Sequence, residues 1–138
     1  MIYVLDASVL LKWFVEEPES LQALTYRSRH LERSATLACP DLALYEVGNV
    51  LRHKRGVPEQ ALIDALLDLI HLGLNIFTPT EALLRRASHL SYARHMTYYD
   101  AVYVALAQEL HSTLVTADFK LCHQAHGLIP IEPLITVR

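Results

Sequence analysis

Cysteine is scarce in this chain. Cys39 and Cys122 are the only two in 138 residues, and neither belongs to a C-x-x-C pair. That excludes a disulfide-stapled fold and a paired-cysteine zinc site, and it predicts two reduced thiols. Glycine (4) and proline (6) are too few for a fibrous or linker-like chain. Positive charge is also missing: 15 acidic against 12 basic residues leave a formal net charge of −3. Nucleic acid, if it is a partner, must therefore be met by a local basic patch or through metal ions. The longest wholly apolar run, Ala101 to Ala107, is far short of the ~20 residues of a membrane span. No basic segment precedes the apolar Met1–Leu5 stretch, so no signal peptide is expected, and the reading is a cytoplasmic protein with no membrane partner.

What is there is a core-forming composition, 52% apolar and 20% charged, of a size for one domain spanning residues 1–138. Ile2–Leu5 reads as a buried strand ended by Asp6, with Ser8 able to cap a helix to about Glu16 before Glu17-Pro18-Glu19 breaks the chain. Leu21, Leu24 and Leu31 predict an amphipathic helix over 20–33, and Thr36–Cys39 a second strand. Asp41 is placed to cap a helix to about Arg55, closed by Gly56, and Pro58 to open one that Gly73 ends. A short strand at 74–77 is followed by helices from Thr80 to about Tyr92 and from the Thr97 cap to about Leu110. Thr113–Thr116 reads as a strand, Asp118 starts a helical turn, and 128–131 and 135–137 read as edge strands. Strands alternating with helices predict an α/β fold, a parallel sheet wrapped by helices.

Most of the acids lie where solvated charges belong, including Asp64 and Asp68 on the polar face of one helix. Four do not. Asp6, Glu46, Asp100 and Asp118 each stand in apolar sequence: Leu5-Asp6-Ala7, Tyr45-Glu46-Val47, Tyr99-Asp100-Ala101-Val102 and Ala117-Asp118-Phe119. A carboxylate in such surroundings is costly, and several brought together repel one another. A divalent cation removes both costs, and hard oxygen ligands suit Mg²⁺ or Mn²⁺ rather than Zn²⁺. Asp6 and Asp118 each follow a strand, at the sheet edge where open parallel sheets bind ligands. Each acid also has a purely structural reading: Asp6 in a strand-to-helix turn, Asp118 as a helix N-cap, Asp100 in a capping box with Thr97. Glu46, in mid-helix, is the hardest to explain that way.

The segments Leu5-Asp6-Ala7-Ser8, Tyr45-Glu46-Val47-Gly48-Asn49-Val50-Leu51, Tyr99-Asp100-Ala101 and Thr116-Ala117-Asp118, with Leu11-Lys12-Trp13-Phe14, resemble the acidic motifs of PIN-domain ribonucleases, and within them VapC-type toxins of toxin–antitoxin pairs. The resemblance covers essentially the whole chain. It implies a three-layer α/β/α fold, Mg²⁺- or Mn²⁺-dependent cleavage of RNA, a homodimer, and a cognate antitoxin partner. On this reading Asp6 and Asp100 are direct metal ligands, with Asp118 and Glu46 completing the set. Ser8, Asn49 and Thr116 are candidates for orienting those carboxylates. With water as nucleophile, the cut ends carry 5′-phosphate and 3′-hydroxyl groups. Arg52, Lys54 and Arg55, in the basic run that includes His53, are candidate RNA contacts or else a solvated helix end, and Lys12 is a further candidate if it points into the crevice.

Rival chemistries lack their residues. A haloacid-dehalogenase-type phosphotransferase needs a second Asp where Ser8 stands, and no Gly-rich phosphate loop of Walker type is present. A response-regulator receiver needs an acidic pair after the first strand, where Asp6 stands alone. The sequence Cys122-His123 with His126 lacks the spacing of a structural zinc site, so these histidines read as surface residues. The remaining alternative is an inactive PIN-like module that binds RNA or antitoxin.

Overall fold

The computed structural model describes residues 1–134. Five strands, β1 (Ile2–Leu5), β2 (Thr36–Pro40), β3 (Asn75–Phe77), β4 (Thr113–Thr116) and β5 (Ile131–Pro133), form one parallel sheet in the order β3-β2-β1-β4-β5. Among the described residues seven helices surround it: α1 (Ala7–Leu11), α2 (Ser20–Leu31), α3 (Leu42–His53), α4 (Glu59–His71), α5 (Glu81–Arg94), α6 (Tyr98–Glu109) and α7 (Phe119–Ala125). This is the three-layer α/β/α arrangement expected from the sequence.

The central strands are continuous apolar runs because both sheet faces are covered. Val4, Leu5, Leu37, Cys39, Leu114 and Val115 are fully buried. Helix α6 lies against β1, β2 and β4, and residues Ala101 through Ala107 are buried on every side. This accounts for the longest apolar run in the chain. Both thiols are free, and burial pushes that of Cys39 up to about 12. Among the described residues no helix is long and apolar enough to cross a membrane.

The strand order has one reversal. From β1 the chain moves through β2 to β3, then crosses back to β4 and on to β5. Loops leaving β1 and β4 therefore diverge in opposite directions and leave a crevice between their carboxyl ends, the topological switch point of an open α/β sheet. Asp6 and Asp118 stand at its two sides.

Several boundaries differ from the sequence reading. Helix α1 ends at Leu11, not Glu16, because the chain turns there to bring the Trp13 indole onto the Ala23 carbonyl (2.8 Å) and Lys12 onto Glu17. Asp41 makes no side-chain cap. Its amide donates instead to the Phe77 carbonyl (2.9 Å), which extends the β2–β3 pairing. Helix α3 stops at His53, since Lys54 is already extended. The last described strand begins at Ile131 rather than Leu128, because register with Leu114 is set only after the turn through Gly127 (φ +82°). The strand expected at 135–137 lies outside the described residues.

Candidate active site

Asp6 is the innermost of the four carboxylates. Leaving β1, it caps α1 by accepting from the amides of Ser8 (3.0 Å) and Val9 (3.4 Å). The Ser8 hydroxyl donates to the same oxygen and the Thr116 hydroxyl to the other. Only 6% of the residue is exposed, and that burial outweighs the four hydrogen bonds, pushing the Asp6 carboxyl up to about 6. Thr116 ends β4 and works in two directions, since its Oγ1 also accepts from the Asp118 amide (3.0 Å), while Ser8 Oγ accepts from the Ala117 amide (3.0 Å). The turns after β1 and β4 are thereby tied together across the crevice.

Asp118 caps α7, accepting from the amides of Lys120 (2.9 Å) and Leu121 (3.3 Å). Asp100 lies in the first turn of α6, where its amide donates to the Thr97 cap (3.1 Å). Burial raises its pKa, and the charge of Asp118 raises it further. Glu46 projects from α3 and is half-buried. Burial raises its pKa too, opposed by a hydrogen bond from Tyr103 and reinforced by the charge of Asp100. The thiol of Cys122 is raised by burial and then by Asp118 and Asp6. Each acid thus acts on a neighbour in the same crevice, although each comes from a different element and two of them lie 112 positions apart in sequence, at 6 and 118.

Residues 3–127 match the PIN domain family. The chain belongs to the PIN-domain family. It is 32% identical over 134 residues to Ribonuclease VapC3 of Pyrobaculum aerophilum, an alignment covering 94% of this chain and 98% of that protein. Its fold is similar to that of VapBC2 from Rickettsia felis bound to a promoter DNA fragment (TM-score 0.71, 18% identity, 96% of this chain and 98% of that one). It is also similar to a toxin–antitoxin complex from Klebsiella pneumoniae (TM-score 0.70, 17% identity, 98% and 99% covered).

In this PIN domain the hydroxyls of Ser8 and Thr116 meet at Asp6, while Asp118 acts on Asp100 and Asp100 on Glu46. Other expected residues do not join them. Lys12 is a correction: it is buried, with its ammonium 2.6 Å from Glu17 and 3.2 Å from Glu19. Its charge is used up in holding the turn after α1, so it has none to offer the crevice. Asn49 shares a helix face with Glu46 but is exposed, and among the described residues its side chain bonds none of the acids. Arg52, Lys54 and Arg55 are exposed near the far end of α3. Arg52 lies six residues beyond Glu46, ~9 Å along the axis and ~240° around it, so it leaves the helix on another side.

Two residues of the site escaped the sequence reading. Lys120, two positions after Asp118, lowers the pKa of Asp100 and so brings a positive charge to the crevice. Tyr103, buried in α6, donates to Glu46 Oε1 at 2.7 Å. A buried tyrosine hydroxyl needs a partner, and Tyr103 lies one helical turn after Asp100 on the same face. That spacing was the available signal. Tyr103→Phe removes the donor and leaves the ring. A drop in activity of ~5- to 50-fold is expected, with weaker Mn²⁺ binding by titration calorimetry and a loss of about 1 kcal/mol in urea unfolding. Unchanged Mn²⁺ affinity would show that Glu46 needs no holding.

The donors are all hard carboxylate oxygens: Asp118 raises the pKa of Asp100, Asp100 raises that of Glu46, and among the described residues Lys120 is the cation acting on Asp100. Such a set fits Mg²⁺ or Mn²⁺. Among the described residues no three His, Cys, Asp or Glu side chains stand close enough together to hold a metal ion.

Proposed function

We propose that this chain is an endoribonuclease dependent on Mg²⁺ or Mn²⁺ and that it is the toxin of a toxin–antitoxin pair. The observation that carries the reading is the pair of acids Asp6 and Asp118 at the topological switch point, with the charge of Asp118 raising the pKa of Asp100 and that of Asp100 raising the pKa of Glu46. The name of the Pyrobaculum relative and the toxin–antitoxin neighbours in fold support it. RNA is the proposed substrate, a cognate antitoxin the proposed inhibitor, and a homodimer the proposed state in a cytoplasmic setting.

Asp6 and Asp100 are the direct ligands in this proposal, with Asp118 and Glu46 completing the shell. When bound, the ion makes hydroxide available near neutral pH and offsets charge on the phosphate. Ser8 holds Asp6 Oδ1 and Thr116 holds Oδ2, which accepts no second hydrogen bond among the described residues and keeps acceptor capacity for an ion. Tyr103 fixes Glu46, which orients the attacking water. Lys120 supplies a positive charge for the phosphate.

The test is cleavage of a mixed RNA pool by antitoxin-free protein in Mn²⁺ and in EDTA, with the ends of the products mapped. Cleavage in Mn²⁺ that stops in EDTA, leaving 5′-phosphate ends, is the expected outcome. A 2′,3′-cyclic phosphate would mean that the ribose hydroxyl is the nucleophile and would sink the hydrolytic mechanism. Binding of RNA or antitoxin without cutting would make the chain an inactive module instead.

A further inference from the structure

The end of α5 is tied to the end of α7. Arg94 is the last residue of α5, and its Nη1 donates to the carbonyls of Gln124 and His126 (3.2 Å each). Those carbonyls belong to the closing turn of α7, where helix carbonyls lack partners within the helix and positive charge is favoured. A third bond runs the other way, from Gln124 Nε2 to the His95 carbonyl (3.1 Å). His95 closes α5 in the left-handed region (φ 54°), and Met96 after it is buried in the core. The chain then enters the Thr97 cap of α6, in whose first turn Asp100 stands. At the opposite end of α7 is its N-cap, Asp118. The three bonds therefore join the segment that carries Asp100 to the segment that carries Asp118. Two further facts bear on them. Helix α7 has seven residues and packs chiefly on β4 and β5. A helix that short has little stability of its own, so its setting against α6 depends on side chains that bridge to it. Gln124 Oε1 is buried and, among the described residues, has no hydrogen-bond partner. A buried amide oxygen left unpaired is costly, and what the amide contributes in return is the bond from its nitrogen.

We propose that Arg94 and Gln124 are positioning residues for RNA cleavage: they clamp the closing turn of α7 to the corner between α5 and α6, and so set how Asp118 stands relative to Asp100. This deepens the endoribonuclease reading and rests on it. The charge of Asp118 acts on Asp100, so the two acids are near neighbours. Arg94 and Gln124 touch neither of them and act through the backbone, each six residues away, one before Asp100 and the other after Asp118. A misplacement of ~1 Å far from the chemistry can cost ~100-fold in rate, and the groups that orient metal-binding carboxylates typically change affinity or activity by ~10- to 100-fold.

The experiment compares wild type with Arg94→Met, which keeps the aliphatic stem and removes the donors, and with Gln124→Leu, which removes the bond to His95 together with the unpartnered oxygen. Three quantities are read: kcat and KM for RNA in Mn²⁺, Mn²⁺ affinity by titration calorimetry, and melting temperature in EDTA. Each variant is expected to lower kcat ~5- to 50-fold with KM within ~2-fold, to weaken Mn²⁺ binding ~5- to 20-fold, and to melt within ~2 °C of wild type. One nitrogen of Arg94 makes both of its bonds, so a lysine ammonium can stand in for it, and Arg94→Lys is expected to recover to within ~3-fold of wild type. Arg85→Ala breaks an exposed ion pair on the same helix and is the control expected to change none of the three. Variants with wild-type kcat and Mn²⁺ affinity would overturn the clamp, as would variants whose only change is a lower melting temperature. If the wild type binds Mn²⁺ and cuts no RNA, the nuclease reading falls, while the Mn²⁺ affinities still decide whether the clamp sets the two acids. A wild type that binds no Mn²⁺ would end both.

Discussion

Asp100→Asn is expected to lower RNA cleavage by ~10³-fold or more, about 4 kcal/mol of lost transition-state stabilisation, with no loss of thermal stability. The two halves of that expectation come from one geometry. Asparagine keeps the shape of the side chain, and the Asp100 amide still donates to the Thr97 cap, so the start of α6 is untouched. The substitution removes a negative charge from beside Asp118 and Glu46, which relieves repulsion. It also forfeits a favourable acid at a helix N-terminus, worth ~0.3–1 kcal/mol, so the net change in stability is small. A variant that is folded and inert, with Mn²⁺ binding lost, identifies a metal-ligating role. Turnover within ~3-fold of wild type would instead remove Asp100 from the ligand set and leave it a helix-start residue. Calorimetric scanning of both proteins in EDTA supplies the control for folding.

The second large effect runs against ordinary expectation, because losing a central residue should stabilise the metal-free protein. Burial raises the Asp6 carboxyl from an ordinary 3.8 to about 6, so the folded state holds a proton that the unfolded chain releases. A group shifted in this direction contributes fully below about pH 4, and its contribution is lost as pH rises through about 6. At pH 7.5 the ionised Asp6 therefore costs the apo fold roughly 3 kcal/mol relative to its protonated form. Asp6→Asn mimics that protonated form permanently. Its melting temperature in EDTA is expected to exceed that of wild type by roughly 5–10 °C at pH 7.5, and the difference to vanish near pH 4. Adding Mg²⁺ is expected to raise the wild type and leave the variant where it was. Cleavage is expected to be abolished. A variant less stable than wild type in EDTA at pH 7.5 would show that the bonds from Ser8 and Thr116 outweigh burial.

Much of this architecture is legible in the amino-acid sequence. The alternation of strands and helices reported the α/β class, since parallel strands covered on both faces leave continuous apolar runs. The acids stood out because Asp6, Glu46, Asp100 and Asp118 each stand in apolar sequence, the first and last just after a strand and the other two in helices. The division between caps and a mid-helix Glu46 was also readable, because Asp6 and Asp118 cap α1 and α7 as their positions after strands suggest. The strand order was not, since no local pattern encodes which strand lies beside β1. Lys12 misled because its partners, Glu17 and Glu19, lie across the Pro18 turn, and spacing along a helix says nothing of a side chain once the helix has stopped at Leu11. Tyr103 was hidden in the run Ala101–Ala107, where an aromatic residue looks like packing until its hydroxyl is asked for a partner.

The bond from Thr116 to Asp6 joins positions that are 110 residues apart, and β4 reaches its place beside β1 only after most of the chain has been made. A ribosome emitting this protein therefore releases an inert polypeptide for nearly the whole of its synthesis. The two sides of the crevice meet only when the final fifth of the chain docks, so a translation product ending before β4 is expected to cleave no RNA.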